Sequence, residues 1–390
     1  MRQNTRPLFK KCACLILTIS FISPSYAAEL KKTERFKISG YYKNLFTYSR
    51  TLSSDKDYYM DTNRLRLEGI ATFTDALSGH IAYDHDLDLN DFSHSQDFDI
   101  IREKNRKRRV FLDTYKALID KKPIYWIHTL YRAYIKYAIP AFHLTVGKQA
   151  IDWSRMRLYH PFDLFNRISP LDIEKDEKVG IDAANAEFFF PRFTSANVLY
   201  VPYDHGEKAG IGLRVTTKVH DYDLAVIGAS YRNDVTAGFS FDGYIKESGF
   251  RGELTVTRPD NEKYFVRATI GLDHTFTPKL YGIVEYFYNG GAARESAKFL
   301  NSYEFSRRAM SLREHIIGSG LEYDISGVMK TTHYAFYDIQ KRSFLYNPEL
   351  RYNARSNIDL TWGGQFFWGK EDSEFGDYHN IYYVQLKYYF

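Results

Sequence analysis

A chain of 390 residues with 44% hydrophobic content and a mean hydropathy of −0.44 would suit two or three soluble domains, but aromatics at 17%, led by 33 Tyr and 29 Phe, resist that reading. Strands with one apolar and one wet face give such averages, because successive residues point opposite ways. Of the formal net charge of +5, four charges and both cysteines lie within residues 1–27; without them the charge is +1, which removes the main support for nucleic-acid binding and excludes disulfide, zinc–thiolate and cysteine-nucleophile chemistry.

The opening MRQNTRPLFKKCACLILTISFISPSYAAELKK sets a basic stretch (Arg2, Arg6, Lys10, Lys11) before an apolar run from Cys12 to Ile22 and a small-x-small site at Ser25-Tyr26-Ala27. This is the order of a cleaved secretory signal peptide, too short to be a permanent membrane span. Cleavage after Ala27 is expected, leaving 28–390 as one domain. Neither cysteine follows the small-residue box of a lipoprotein, so no lipid anchor is expected.

Alternation begins next. Leu65, Leu67, Gly69, Ala71 and Phe73 oppose Arg64, Arg66, Glu68 and Thr72. After the turn Thr74–Ser78, one face of the following strand carries His80, Asp84, Asp86 and Asp88, and the other carries His85. A protease or metal centre would need partners from other strands. Pairing through the turn instead sets Arg64 and Arg66 opposite the aspartates, so a charge ladder on a barrel wall is expected. The run EKNRKRR, Glu103–Arg109, falls in a long loop and reads as a solvated surface or as a contact for the phosphates of lipopolysaccharide.

The most distinctive stretch is GKQAIDWSRMRLYHPFDLFNRISPLDIEKDEKVGIDA, Gly147–Ala183, where alternation lapses for about thirty residues. Pro161 and Pro170 fix backbone direction, Asp163 and Asp172 suit turn amides, and Trp153, Phe162, Leu164 and Phe165 suit a wall. Arg155, Arg157, Arg167, Asp172, Glu174, Asp176 and Glu177 supply both signs of charge, as a constriction that orients polar solutes requires. The expected constriction residues are Trp153, Arg155, Arg157, Asp163, Arg167, Asp172 and Glu174; a loop folded only on itself is the alternative. The pattern G-[KR]-Q-x-I-x-W, P-x-D-L-F-N, S-P-L-D and D-E-K-x-G-I-D-A resembles a group of porin-like bacterial outer-membrane barrels, and its G-K-Q strand end resembles the alginate-export barrels more weakly. The resemblance covers about a tenth of the chain. It implies a channel class, with this segment near or in the pore, and no substrate.

The later chain repeats the strand signal: Ile211, Leu213, Val215 and Val219 against Arg214, Thr216 and Lys218; Tyr264 to Leu272 against Lys263, Arg267, Thr269 and Asp273; Leu280 to Tyr288 against Tyr281, Glu285 and Phe287; Ile358 to Trp368 against Asp359, Thr361 and Gln365. Short connections at TDALS, IPA, PRFTSA, HD, KESG, TFTPK, DISG and NARSN alternate with long ones near 90–122, 150–179 and 289–313. No segment after Ala27 is long and apolar enough for a membrane helix, which leaves a closed transmembrane antiparallel up-and-down β-barrel, because closure pairs every backbone group. Eighteen strands are expected. Sixteen is the alternative, since 326–337 and 342–353 alternate poorly. The ending NIYYVQLKYYF puts Tyr388, Leu386, Val384 and Tyr382 on one face; with Phe390 it resembles the terminal signal read by the barrel-assembly machinery, and Phe390, Tyr388 and Leu386 are the expected assembly residues.

No phosphate loop, histidine-rich tract or nucleophile elbow is visible, and no cofactor, metal or catalytic residue is expected. The expected lumen wall comprises Arg64, Arg66, Asp84, Asp86, Asp88, Arg214, Lys218, Arg267 and Lys387, with Asp273, Glu285 and Asp359 adding acid. Its mixed charge favours a passive channel for small polar solutes in the outer membrane over a dedicated exporter or importer of an acidic polysaccharide. An outer-membrane enzyme barrel, with a filled lumen, is the further alternative. Partners are then the bilayer, lipopolysaccharide, the assembly machinery and the solutes.

Overall fold

The computed structural model describes residues 35–99, 102, 111, 112, 114–166, 172, 173, 178, 180–202, 209–231, 233–260, 263–292 and 310–390. The segment read as a signal peptide and the basic run Glu103–Arg109 lie outside the described residues. The strands are β1 (Phe36–Arg50), β2 (Asp57–Thr72), β3 (Leu77–Asn90), β4 (Tyr115–Lys121), β5 (Ile124–Ile139), β6 (Phe142–Gln149), β7 (Ile181–Phe190), β8 (Thr194–Val201), β9 (Gly210–Val219) and β10 (Tyr222–Tyr231). There follow β11 (Asp234–Ile245), β12 (Ser248–Arg258), β13 (Phe265–Thr277), β14 (Leu280–Asn289), β15 (His315–Ser326), β16 (Met329–Asp338), β17 (Ser343–Arg355), β18 (Ile358–Trp368) and β19 (Ile381–Tyr389).

Each strand pairs antiparallel with its neighbours, β3 pairs directly with β5, and β19 returns to β1 with Tyr388 opposite Tyr42 and Val384 opposite Phe46. Eighteen strands therefore close the barrel, with β4 outside the circuit. The last residue takes part in the closure: Phe390 and Gly40 exchange backbone hydrogen bonds of 3.0 Å in both directions. A Cβ on Gly40 would stand 2.3 Å from the Arg66 carbonyl and 2.8 Å from the Phe390 ring, so glycine lets the terminal aromatic seat.

β4 corrects the expectation of an unpaired loop over 90–122. Strand β5 runs the full wall, but β6 covers only its Ala133–Ile139 half. Residues Ile124–Thr129 pair instead with β4. A wall strand cannot leave backbone donors and acceptors unpaired, and β4 fills the position that β6 vacates when the chain turns into the lumen after Gln149.

The outer face is apolar almost throughout, with exposed Ile38, Phe46, Leu67, Ile81, Ile135, Val146, Leu213, Val226, Leu254, Ile270, Val284, Leu321, Trp362 and Val384. No helix among the described residues is long and apolar enough to cross a membrane; the strands make this belt. The poor alternation of 326–337 and 342–353 has a physical cause. Inward-facing Phe336 and Leu345 are fully buried, against the segment that follows β6, so β16 and β17 carry apolar residues on both faces.

Candidate pore constriction

Near the end of β6, Gly147 takes a φ of +124° that is open only to glycine; a Cβ there would lie 2.2 Å from the Ala133 carbonyl. Beyond it, residues 151–158 have no partner strand, and burial alternates in two-residue steps on either side of a phase shift at Ser154 and Arg155. Ile151, Trp153, Met156 and Leu158 are buried, whereas Asp152, Arg155 and Arg157 are exposed. The amides of this extended segment are taken by two carboxylates of the wall. Glu285 of β14 accepts from the backbone N–H groups of Arg157 at 2.7 Å and of Leu158 and Tyr159 at 3.1 Å each. Glu253 of β12 accepts from the Arg155 amide at 2.6 Å, the Phe162 amide at 3.0 Å and the Ser154 hydroxyl at 2.8 Å. Carboxyl acceptors placed this way satisfy donors that a strand neighbour would otherwise pair.

Apolar seats complete the attachment. Trp153 and Phe165 join Leu199, Ala225 and Ile227 in one cluster, and Tyr159 stacks on Phe287 at 4.4 Å in another. Wall glycines admit the segment: a Cβ on Gly212 would lie 2.5 Å from the Trp153 ring, on Gly238 2.8 Å from Phe162, and on Gly318 2.8 Å from Leu158. The return leg is braced by Asp163, whose carboxylate accepts the Trp153 and Ser154 amides at 3.2 and 3.1 Å and pairs with Lys178. Lys178 also reaches Asp152 at 2.7 Å.

Of the seven residues expected at the constriction, Arg155 and Arg157 turn away from the wall and are exposed. Trp153 and Asp163 are 3% and 2% exposed and hold the segment instead of facing a passage. Asp172 is exposed, and Arg167 and Glu174 lie outside the described residues. Arg155 lies near Arg214 of β9 with Glu253, Asp152 and Glu187 also around it, and Arg157 lies near Tyr281 of β14 beside Asp273 and Arg251. Arg251 is itself paired with Asp273 at 2.6 Å.

On the wall of β1–β3, the register sets Arg64 opposite Asp86, Arg66 opposite Asp84 and Thr62 opposite Asp88. Arg66 is 1% exposed, grips Asp84 through two contacts of 2.6 Å, and lies 3.7 Å above the Tyr131 ring. Arg64 meets Asp86 at 2.5 Å, and the Thr62 hydroxyl donates to Asp88 at 2.7 Å. His80 lies near Glu68 at 3.9 Å. Lys387 sits 4.2 Å over the Tyr41 ring beside buried Lys43. Arg267, 1% exposed, donates to Asn289 at 3.0 Å and braces the wall, and Lys218 lies exposed beside the HD turn. Sequence reading did not single out Glu253, Arg251 or the glycine seats. A lone Glu or Gly on an alternating strand carries no local signal, because its partner lies about a hundred residues away in the chain.

The closed antiparallel barrel of eighteen strands, with its apolar outer belt and a segment folded against its inner wall, defines the class by fold: a transmembrane β-barrel. The chain is similar in fold to Pseudomonas aeruginosa OccK9 (OpdG), at 12% identity over 91% of this chain and 98% of that one with a TM-score of 0.61. It is likewise similar to the outer membrane protein opdK of the same organism, at 9% identity, 92% and 99% coverage and a TM-score of 0.57. A third similar structure is Pseudomonas aeruginosa OprD, at 10% identity, 92% and 95% coverage and a TM-score of 0.55. No protein-family model matches the sequence, and no curated protein matches it.

Proposed function

We propose that the protein is an integral outer-membrane channel, exported by cleavage after Ala27, through which small polar solutes diffuse passively, and that the segment from Ile151 to Asn166 is its constriction. The observation that carries this reading is the division of charge on that segment. The wall acids beneath it, Glu253 and Glu285, are engaged by its backbone amides, while Arg155 and Arg157 stand exposed on its other side. A constriction with its acids occupied and its arginines free presents positive potential to the passage and favours small anions. OpdK, one of the similar structures, has been solved with vanillate, which carries a carboxylate. The reading is of a channel and not of an enzyme, since the wall acids Asp84, Asp86, Glu253 and Glu285 are tied to arginines or to the segment.

The partners in this reading are the bilayer along the apolar belt, lipopolysaccharide at the long-loop end, and the assembly machinery at the terminal strand. Phe390, Tyr388 and Leu386, all facing outward and at least one-third exposed, suit the last of these. Reversal potentials across a salt gradient test the proposal. Wild-type protein should prefer anions, and Arg155→Gln with Arg157→Gln should move the preference toward cations at low salt, with the difference fading as salt shortens the Debye length to ~10 Å or less. Identical reversal potentials for the two proteins would refute it.

A further inference from the structure

Among the described residues the apolar belt is interrupted singly by His333 on β16, which is hydrogen-bonded to Tyr346 and Thr331, and over a wider face on β1 to β5. On the outward face of β1 and β2, Tyr42 donates to Asn63 Oδ1 at 2.6 Å, and the Asn44 amide donates to Asp61 Oδ1 at 2.5 Å and to Asn63 Oδ1 at 3.1 Å. These side chains share the face of Leu65, Leu67, Phe46 and Tyr59, which are 38–48% exposed and lie above and below them on the same strands. The polar face continues sideways. Leu65 stands opposite His85, His85 opposite His128, and His128 opposite Lys116 of β4. The Tyr83 hydroxyl meets His128 Nδ1, while His85 Nδ1 and His128 Nε2 are shielded from solvent and have no hydrogen-bond partner.

Asn44, Asp61, Asn63, His85 and His128 lie inside their strands, between residues of the lipid-facing belt, and Lys116 lies near the start of β4. A carboxylate and imidazoles at that depth are costly against hydrocarbon and are stable when another polar surface covers them. We infer that this face, from Asp61 on β2 to Lys116 on β4, is the interface with a second copy of the same chain. Two features select that occupant. The patch is self-complementary, with the acceptor Asp61 and the amides of Asn44 and Asn63 at one side and the donors His85, His128 and Lys116 at the other, so one copy's acid can meet the next copy's bases. Copies related by rotation about the membrane normal also carry the same polar groups at the same depth, a match that an unrelated barrel or a lipid headgroup does not provide.

The test is site-directed crosslinking in the membrane, using the chain without Cys12 and Cys14 so that the introduced thiol is unique. Leu65→Cys lies within the patch, between Tyr42 and His85, and Val226→Cys on β10 is a lipid-facing control elsewhere on the barrel. Oxidation should convert most of the Leu65→Cys protein to a disulfide dimer and leave the Val226→Cys protein monomeric. In a mild detergent, the wild-type mass should be a multiple of the monomer's, and Asp61→Leu with Asn63→Leu should reduce it to one barrel that still shows the heat-shifted mobility of a folded protein. No dimer from Leu65→Cys, equal yields from both positions, or a crosslink from Leu65→Cys to a different protein would overturn the inference. Crosslinking at Leu65 decides the matter even if the double variant fails to fold.

Discussion

Glu285 is the position where one substitution should detach the proposed constriction segment while sparing the barrel. Its carboxylate holds three consecutive backbone amides at 2.7, 3.1 and 3.1 Å and is fully buried beneath them. Removing the acceptor leaves three buried amides unsatisfied at about 1–3 kcal/mol each, and water entering the vacated site restores part of that, so Glu285→Ala should weaken docking by about 3–4 kcal/mol. That lowers the ratio of docked to undocked segment by two to three powers of ten. The β14 ladder to β13 and β15 is made by backbone groups and is unaffected. Single-channel recording should then show a larger mean conductance and fluctuating current, whereas Glu285→Gln, which keeps one acceptor oxygen, should fall between the two. A folded Glu285→Ala barrel with the wild type's conductance and noise would refute the claim that this carboxylate anchors the segment.

The glycine seats make a second prediction: Gly212→Val should displace Trp153 and reproduce the noisy, wider channel, whereas Gly228→Val, where a Cβ meets nothing within 4 Å, should leave conductance unchanged. The loop between β18 and β19 offers a pH test. Burial lifts the Glu374 carboxyl from 4.5 to about 8, and that group accepts the Leu312 and Arg313 amides at 2.6 and 3.0 Å. Because the folded carboxyl keeps its proton to higher pH than the unfolded one, its contribution to loop order is complete below about pH 4.5 and lost as pH rises through about 8. Hydrogen exchange at those two amides, corrected for intrinsic rates, should lose protection across that window, and Glu374→Gln should flatten the profile; a flat wild-type profile would contradict the assignment. At the terminus, Phe390→Ser with Tyr388→Ser should leave the protein unassembled and degraded, and normal membrane levels of folded barrel would exclude these residues as an assembly signal.

Strand positions were legible because lipid outside and water inside impose a strict two-residue period, as along Leu65–Phe73 and Ile358–Trp368. The short connections fixed the pairing as well: the turn Thr74–Ser78 already implies that Arg64 meets Asp86. The signal weakened where the lumen face is dry. Phe336 and Leu345 point inward in one cluster with Tyr159 and Leu158, so 326–337 and 342–353 read as apolar on both sides and leave sixteen strands as the alternative to eighteen. β4 was illegible for another reason, since the need for it arises only when β6 departs from the wall. Within the constriction, sequence marked the segment and its charges but could not distinguish Arg155, which is exposed, from Asp163, which is buried in a brace. That distinction depends on Glu253 and Lys178, whose positions are set by the closed barrel.

The most direct test of the account is the single-channel conductance of the refolded protein beside a variant from which residues 152–165 are removed. The account predicts discrete open steps from the wild type, and larger steps with a weaker preference for anions from the variant, because the narrowest section dominates pore resistance. A wild type that passes no current, or two proteins with the same conductance and selectivity, would contradict it.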